Sequence, residues 1–163
     1  MQQAWLRPYR VLAIVGFVLC TGMGAAPPAL MVGSQQARPG AQGIQVPLML
    51  RTSKDSRVVA LQAELRYDPA RLHLHSTSAG PVTEAAGKQL STNAREPGVL
   101  KLILFGLNKR PLQSGVIASL IFDVDADARP DAIDVQITRV SATDMDARPI
   151  TLQGVNGRIT LRQ

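Results

Sequence analysis

Asp123, Asp125 and Asp127, followed by Asp131 and Asp134, form the densest run of possible metal ligands in this sequence. Counted from Asp123, they fall at positions 1, 3, 5, 9 and 12 of a calcium-loop template. Position 6 is Ala128 where the sharp turn demands glycine, and Pro130 occupies position 8. The same aspartates alternate with Phe122 and Val124, as the wet face of a strand end would. A solvated strand end is therefore expected; a surface calcium ion, with Asp144 and Asp146 as further donors, is the alternative. His73 and His75 stand two apart and are the only histidines, and the single cysteine is Cys20. A zinc site lacks the ligands it needs, so no metal or other cofactor is expected. No Gly-x-Ser-x-Gly elbow is present, and Glu64, Glu84 and Glu96 sit apart in polar surroundings. These features argue against a hydrolase triad or a glycosidase carboxylate pair, so the chain is not expected to be an enzyme.

The elements that carry these residues read as short strands. Residues 58–67 place Val59, Leu61, Ala63, Leu65 and Tyr67 on one face, with Gln62, Glu64 and Arg66 on the other. Residues 72–75 and 133–140 alternate in the same way, and 155–161 closes the chain. Residues 99–107 and 116–124 are continuous apolar runs, the pattern of strands buried on both faces. Pro47 within residues 44–50 points to an edge strand or a bulge. Turn chemistry separates the runs: Asp68-Pro69, Gly80-Pro81, Pro97-Gly98, Ser114-Gly115, Arg129-Pro130-Asp131 and Asn156-Gly157. Tyr67-Asp68-Pro69 turns a strand out of its sheet, Gly98 and Gly115 suit positive φ, and Gly157 fits a hairpin or a bulge. Only residues 83–90 offer a helical turn. The pattern predicts an all-β, antiparallel sandwich.

Composition narrows the possibilities. The 163 residues suit one domain, and the formal charge is +6. Residues 1–24 read as a signal peptide: Arg7 and Arg10 precede an apolar run at 11–19, followed by small residues with a cut after Gly24 or Ala26. Export to the periplasm, the outside or the cell envelope follows, with membrane association only if the leader stays attached. Residues 25–42 are rich in Pro, Gly, Ala and Gln and read as a flexible spacer, leaving 43–163 as the folded domain. Arg7, Arg10 and Arg38 supply three of the 18 basic residues, whereas all 12 acidic residues lie beyond residue 41, so the domain carries +3. With Trp5 in the leader, its aromatics are Tyr67, Phe105 and Phe122. Nucleic-acid binding is not expected, because basic runs and stacking platforms are both lacking.

The order of motifs is specific. Gly43-Ile44-Gln45-Val46-Pro47-Leu48 leads to Leu65-Arg66-Tyr67-Asp68-Pro69, then Gly80, Pro97-Gly98-Val99-Leu100-Lys101-Leu102, the segment from Ser114 to Val124, and Val155-Asn156-Gly157-Arg158-Ile159. This series resembles the cohesin domain, the dockerin receptor of bacterial cellulosomes. The resemblance implies a nine-stranded jelly-roll sandwich, an architecture shared with a class of carbohydrate-binding modules. It also implies a partner-binding face on the third, fifth, sixth and eighth strands, which by matching order fall near 72–75, 90–93, 99–105 and 133–140. The expected contact residues are His73, His75, Ser91, Asn93, Lys101, Ile103 and Phe105, with Leu100, Leu102 and Leu104 pointing inward. The function implied is a non-catalytic, secreted module that recognises a dockerin-like or other protein and serves polysaccharide catabolism. Direct carbohydrate binding on the same fold is one alternative, weakened by the missing Trp strip; a structural sandwich of an envelope complex is another.

Overall fold

The computed structural model describes residues 26–53 and 55–162, so the signal-peptide expectation for 1–24 lies outside the described residues. Strands β1 (Ala29–Val32), β2 (Gln35–Ala37), β3 (Ile44–Arg51), β4 (Ala60–Arg66) and β5 (Leu72–Ala79) come first. A single short helix, α1 (Pro81–Ala85), precedes β6 (Gln89–Asn93), β7 (Val99–Phe105), β8 (Gly115–Val124) and β9 (Ala132–Thr143). The two-residue β10 (Pro149–Ile150), β11 (Gln153–Val155) and β12 (Gly157–Leu161) complete the chain. One sheet has the order β11-β1-β3-β8-β5; the other has β2-β12-β9-β4-β7-β6, with β10 paired to β9. The all-β sandwich is as expected. Its twelve segments reduce to nine strands when β1/β2 and β11/β12 are each counted as one interrupted strand and the two-residue β10 is set aside.

Those two interruptions sit together. The chain leaves one sheet at Gly33-Ser34 and again at Asn156-Gly157, entering the other sheet each time. A Cβ on Gly157 would lie 2.5 Å from the Gly33 carbonyl oxygen and 2.6 Å from Val32 Cγ1, so only glycine lets the crossings touch. Asn156-Gly157 is therefore a crossover between sheets, neither a hairpin nor a bulge.

The segment read as a flexible spacer needs correction. Residues 29–32 pair with β3 and β11, and Ala29 and Leu30 are fully buried. Gly and Pro in this stretch interrupt a strand; the apolar Ala29-Leu30-Met31-Val32 between them was outweighed by the composition around it.

The core lies between the sheets, where Leu48, Leu61, Leu65, Leu72, Leu100, Leu102, Leu104, Leu120 and Phe122 are buried. Tyr67 packs edge-on against Phe122, with centroids 5.1 Å apart at 72°. The Tyr67-Asp68-Pro69 turn takes the shape read from its sequence: Asp68 Oδ1 accepts from the Ala70 amide at 3.0 Å. Gly98, at φ 75°, abuts this turn, and a Cβ there would meet the Tyr67 carbonyl oxygen at 2.6 Å. Gly115 also has positive φ. The helix begins at Pro81, whose ring presets φ for a first turn, and it lies against β8.

Candidate protein-binding face

Strands β4 and β7 alternate without interruption. Leu61, Ala63 and Leu65 of β4 and Leu100, Leu102 and Leu104 of β7 enter the core. Gln62, Glu64, Arg66, Lys101, Ile103 and Phe105 consequently face solvent. The pairing sets these side chains in rows with those of the flanking strands. Ser141, Gln62, Ile103 and Ser91 form one row; Arg139, Glu64, Lys101 and Asn93 form the next. Gln89 stands opposite Phe105. Ile103 is 43% exposed and Phe105 44% exposed, side by side on one strand face. Leaving two such groups half in water forgoes on the order of 1 kcal/mol each compared with full burial, and adjacent exposed apolar groups mark contact surfaces.

Glu64 is the electrostatic hinge of the face. A bulge opposite Glu64/Leu65 turns both Thr138 and Arg139 of β9 to solvent. The Thr138 hydroxyl lies 3.1 Å from Glu64 Oε1 and 3.2 Å from the Glu64 carbonyl oxygen. Arg66 Nε lies 3.4 Å from Oε1 and Lys101 Nζ 3.9 Å from Oε2. The Thr138 hydrogen bond, aided by Arg66 and Lys101, holds the carboxyl below its ordinary value against a smaller opposing effect of desolvation. Glu64, Thr138 and Lys101, with Gln62, Arg139 and Ser141, line a shallow depression of about 550 Å³.

A second depression of about 560 Å³ opens at the end of β7, lined by Gly87, Gln89, Phe105, Gly106, Leu107 and Asn108. Leu107 is fully exposed at its rim. The loop beneath it is pinned: the buried Lys88 ammonium donates to the Asn108 carbonyl oxygen at 2.7 Å. Asn108 Nδ2 donates to the Gly87 carbonyl oxygen at 2.9 Å. Burial pushes the Lys88 pKa down. A Cβ on Gly106 would come 2.9 Å from Lys88 Cδ, so glycine lets the loop close over the lysine.

Among the residues expected on the face, Ser91, Asn93, Lys101, Ile103 and Phe105 lie together on β6 and β7. His73 and His75 do not join them. They stand on β5, in the other sheet, with His73 Nε2 3.5 Å from Asp125 Oδ2 and His75 Nδ1 3.4 Å from Asp123 Oδ2. Residues 29–37 supply a first strand that the expected order lacks, so β4, carrying Gln62, Glu64 and Arg66 outward, is third along the chain in place of residues 72–75.

Two aspartates of the calcium template bond the backbone, whereas Asp131 and Asp134 pair with Arg71 and Arg158. Asp123 Oδ1 accepts from the Gly43 amide, and Asp125 Oδ1 accepts from the Asp127 amide, both at 2.8 Å. No group of three or more His, Cys, Asp or Glu side chains placed to hold a metal occurs among the described residues.

A family model for the cohesin domain matches residues 28–161. The sixth cohesin of scaffoldin B from Acetivibrio cellulolyticus, solved in complex with a dockerin, superposes with a TM-score of 0.76 at 21% identity, covering 84% of this chain and 100% of that one. The OlpA cohesin of Clostridium thermocellum, in a type I cohesin–dockerin complex, gives 0.75 at 20% identity over 84% and 100%. A non-cellulosomal cohesin from the hyperthermophilic archaeon Archaeoglobus fulgidus gives 0.72 at 19% identity over 85% and 93%. No curated protein sequence matches the chain. The family match begins at residue 28, one residue before β1, and takes in the whole sandwich. This chain belongs to the cohesin domain family of non-catalytic, protein-binding modules.

Proposed function

We propose that this protein is an exported receptor module that binds a dockerin-like protein through the outer face of β9, β4, β7 and β6. The carrying observation is the exposed pair Ile103 and Phe105, set between polar rows on a sheet face that nothing in the described chain covers. A central apolar anchor ringed by hydrogen-bonding groups is the arrangement that protein interfaces use. The two relatives solved with dockerins support this class of partner. Export rests on the leader at residues 1–24, and a periplasmic or extracellular partner connected with polysaccharide breakdown is the setting that best fits it. Tyr67 is engaged with Phe122 in the core, so no aromatic strip is left on the sheets to stack on sugar rings.

The test is calorimetry and surface capture with the full chain. Dockerins from Acetivibrio cellulolyticus and Clostridium thermocellum, together with insoluble and soluble glycans, serve as probes. Binding of at least one dockerin, lost in Ile103→Ala/Phe105→Ala, is expected. Retention on glycan with every dockerin refused would sink the proposal.

A further inference from the structure

The charges around the exposed apolar pair are lopsided. Arg66, Lys101, Arg139 and Arg158 share the outer face with two carboxylates, Glu64 and Asp134. Glu64 is already engaged by Thr138, Arg66 and Lys101, and its side chain is only 14% exposed. Asp134, on the outward side of β9, is tied to Arg158 at 2.8 Å. Arg139 makes no ion pair among the described residues, nor do Arg95 in the β6–β7 turn and Lys109 in the loop after β7. Glu96, next to Arg95, is the one unengaged acid at that rim. Basic groups therefore flank Ile103 on the sheet, and Lys109 follows Leu107 in the loop beyond it.

Resting on the protein-binding role proposed above, we infer that this face selects a partner of opposite polarity: a polypeptide surface that brings carboxylates to Lys101, Arg139 and Lys109 and an apolar anchor to the corner formed by Phe105 and Leu107. Opposite charges steer encounter and fix register, whereas like charges brought together cost affinity. The corner is ready to receive such an anchor, because the Lys88 and Asn108 hydrogen bonds hold the loop in place before binding. The Glu64 carboxylate does not oppose the arrangement, since its charge is answered by its own neighbours.

Two synthetic peptides of equal length and identical apolar sequence test this, one with glutamates and one with lysines at the polar positions. Titrated into the full chain and followed by amide NMR, the acidic peptide should move the resonances of Lys101, Ile103, Phe105, Leu107 and Arg139. It should bind roughly tenfold tighter than the basic one and weaken as salt is raised. Lys101→Glu/Arg139→Glu, both exposed positions whose replacement leaves the core intact, should reverse the preference. Equal binding of the two peptides, tighter binding of the basic one, or shifts confined to other surfaces would overturn the inference. Tight binding of a heparin or DNA oligomer at these same residues, stronger than that of the acidic peptide, would overturn it too. Failure is separable from failure of the broader proposal: a dockerin that binds here without charge preference sinks the polarity alone.

Discussion

Strands β7 and β8 have similar sequences and opposite surroundings. Both are apolar runs, Val99-Leu100-Lys101-Leu102-Ile103-Leu104-Phe105 and Val116-Ile117-Ala118-Ser119-Leu120-Ile121-Phe122, and both read as strands enclosed on two sides. For β8 that reading holds over its middle: Ile117 to Leu120 are all buried, and Gln45 Nε2 donates to the outward Ser119 hydroxyl at 3.0 Å. For β7 it fails on one side. Lys101 breaks the run, and Ile103 and Phe105 follow it to the surface. A lone charged residue at the right parity thus says more about a strand than the hydrophobicity of the positions beside it. An aromatic ring on β8 holds the fold, whereas one on β7 is available for a partner.

The sharpest way to break the contrast is to delete each ring. Phe122→Ala empties a fully buried site that also supports Tyr67, and the loss of folding free energy should be about 3–5 kcal/mol by urea denaturation. Phe105→Ala should change stability by no more than about 0.5 kcal/mol, because half the ring is already wet. The same substitution should cost about 2 kcal/mol in partner affinity, a loss of roughly thirtyfold by calorimetry. If Phe105→Ala unfolded the chain as readily as Phe122→Ala, the two strands would not differ in the way described.

A backbone change sharpens the comparison at the start of β7. Gly98→Ala forces a Cβ into a left-handed residue that faces the Tyr67 carbonyl oxygen and the Pro69 ring. A loss of about 1–3 kcal/mol is expected, measured by the same denaturation. Partner affinity in the folded fraction should hold, since the outward side chains of β7 lie further along the strand. An equal loss of affinity would mean that the turn itself belongs to the binding face.

Much of this could be read from the residues. The alternation of β4 and β9, the inward leucines of β7 and the Tyr67-Asp68-Pro69 turn all depend on local patterns, and local patterns survive in sequence. The first strand did not, because Pro27, Pro28 and Gly33 flank a four-residue apolar segment whose partners, β3 and β11, are distant in sequence. Missing it displaced His73 and His75 onto the wrong sheet. The pinning of the 106–108 loop by Lys88 was equally hidden: a lysine's burial is decided by what closes over it, here Gly106 and Asn108, and no spacing rule announces that. The bulge that exposes Thr138 and Arg139 together interrupts a clean alternation only in three dimensions.

The smallest expected effect concerns the Glu64 carboxylate at the centre of the face. Glu64 has a folded-state pKa below its ordinary value of about 4.3, with the Thr138 hydroxyl as the leading cause. A depressed acid contributes stability that is fully present above the unfolded value and is lost as pH falls through the folded one. Thr138→Val removes the hydrogen bond while keeping the shape of the side chain, so Glu64 should titrate at higher pH by carboxyl NMR, and the acid edge of the stability profile should move up with it. Arg66→Gln and Lys101→Gln should each raise it by less, because Arg66 donates to the carboxylate only at 3.4 Å, Lys101 stands 3.9 Å away, and both side chains are exposed to screening by solvent. A titration midpoint indifferent to Thr138→Val but sensitive to Lys101→Gln would show the face to be governed by its cations, and β9 would then lose its part in setting the polarity that β7 presents.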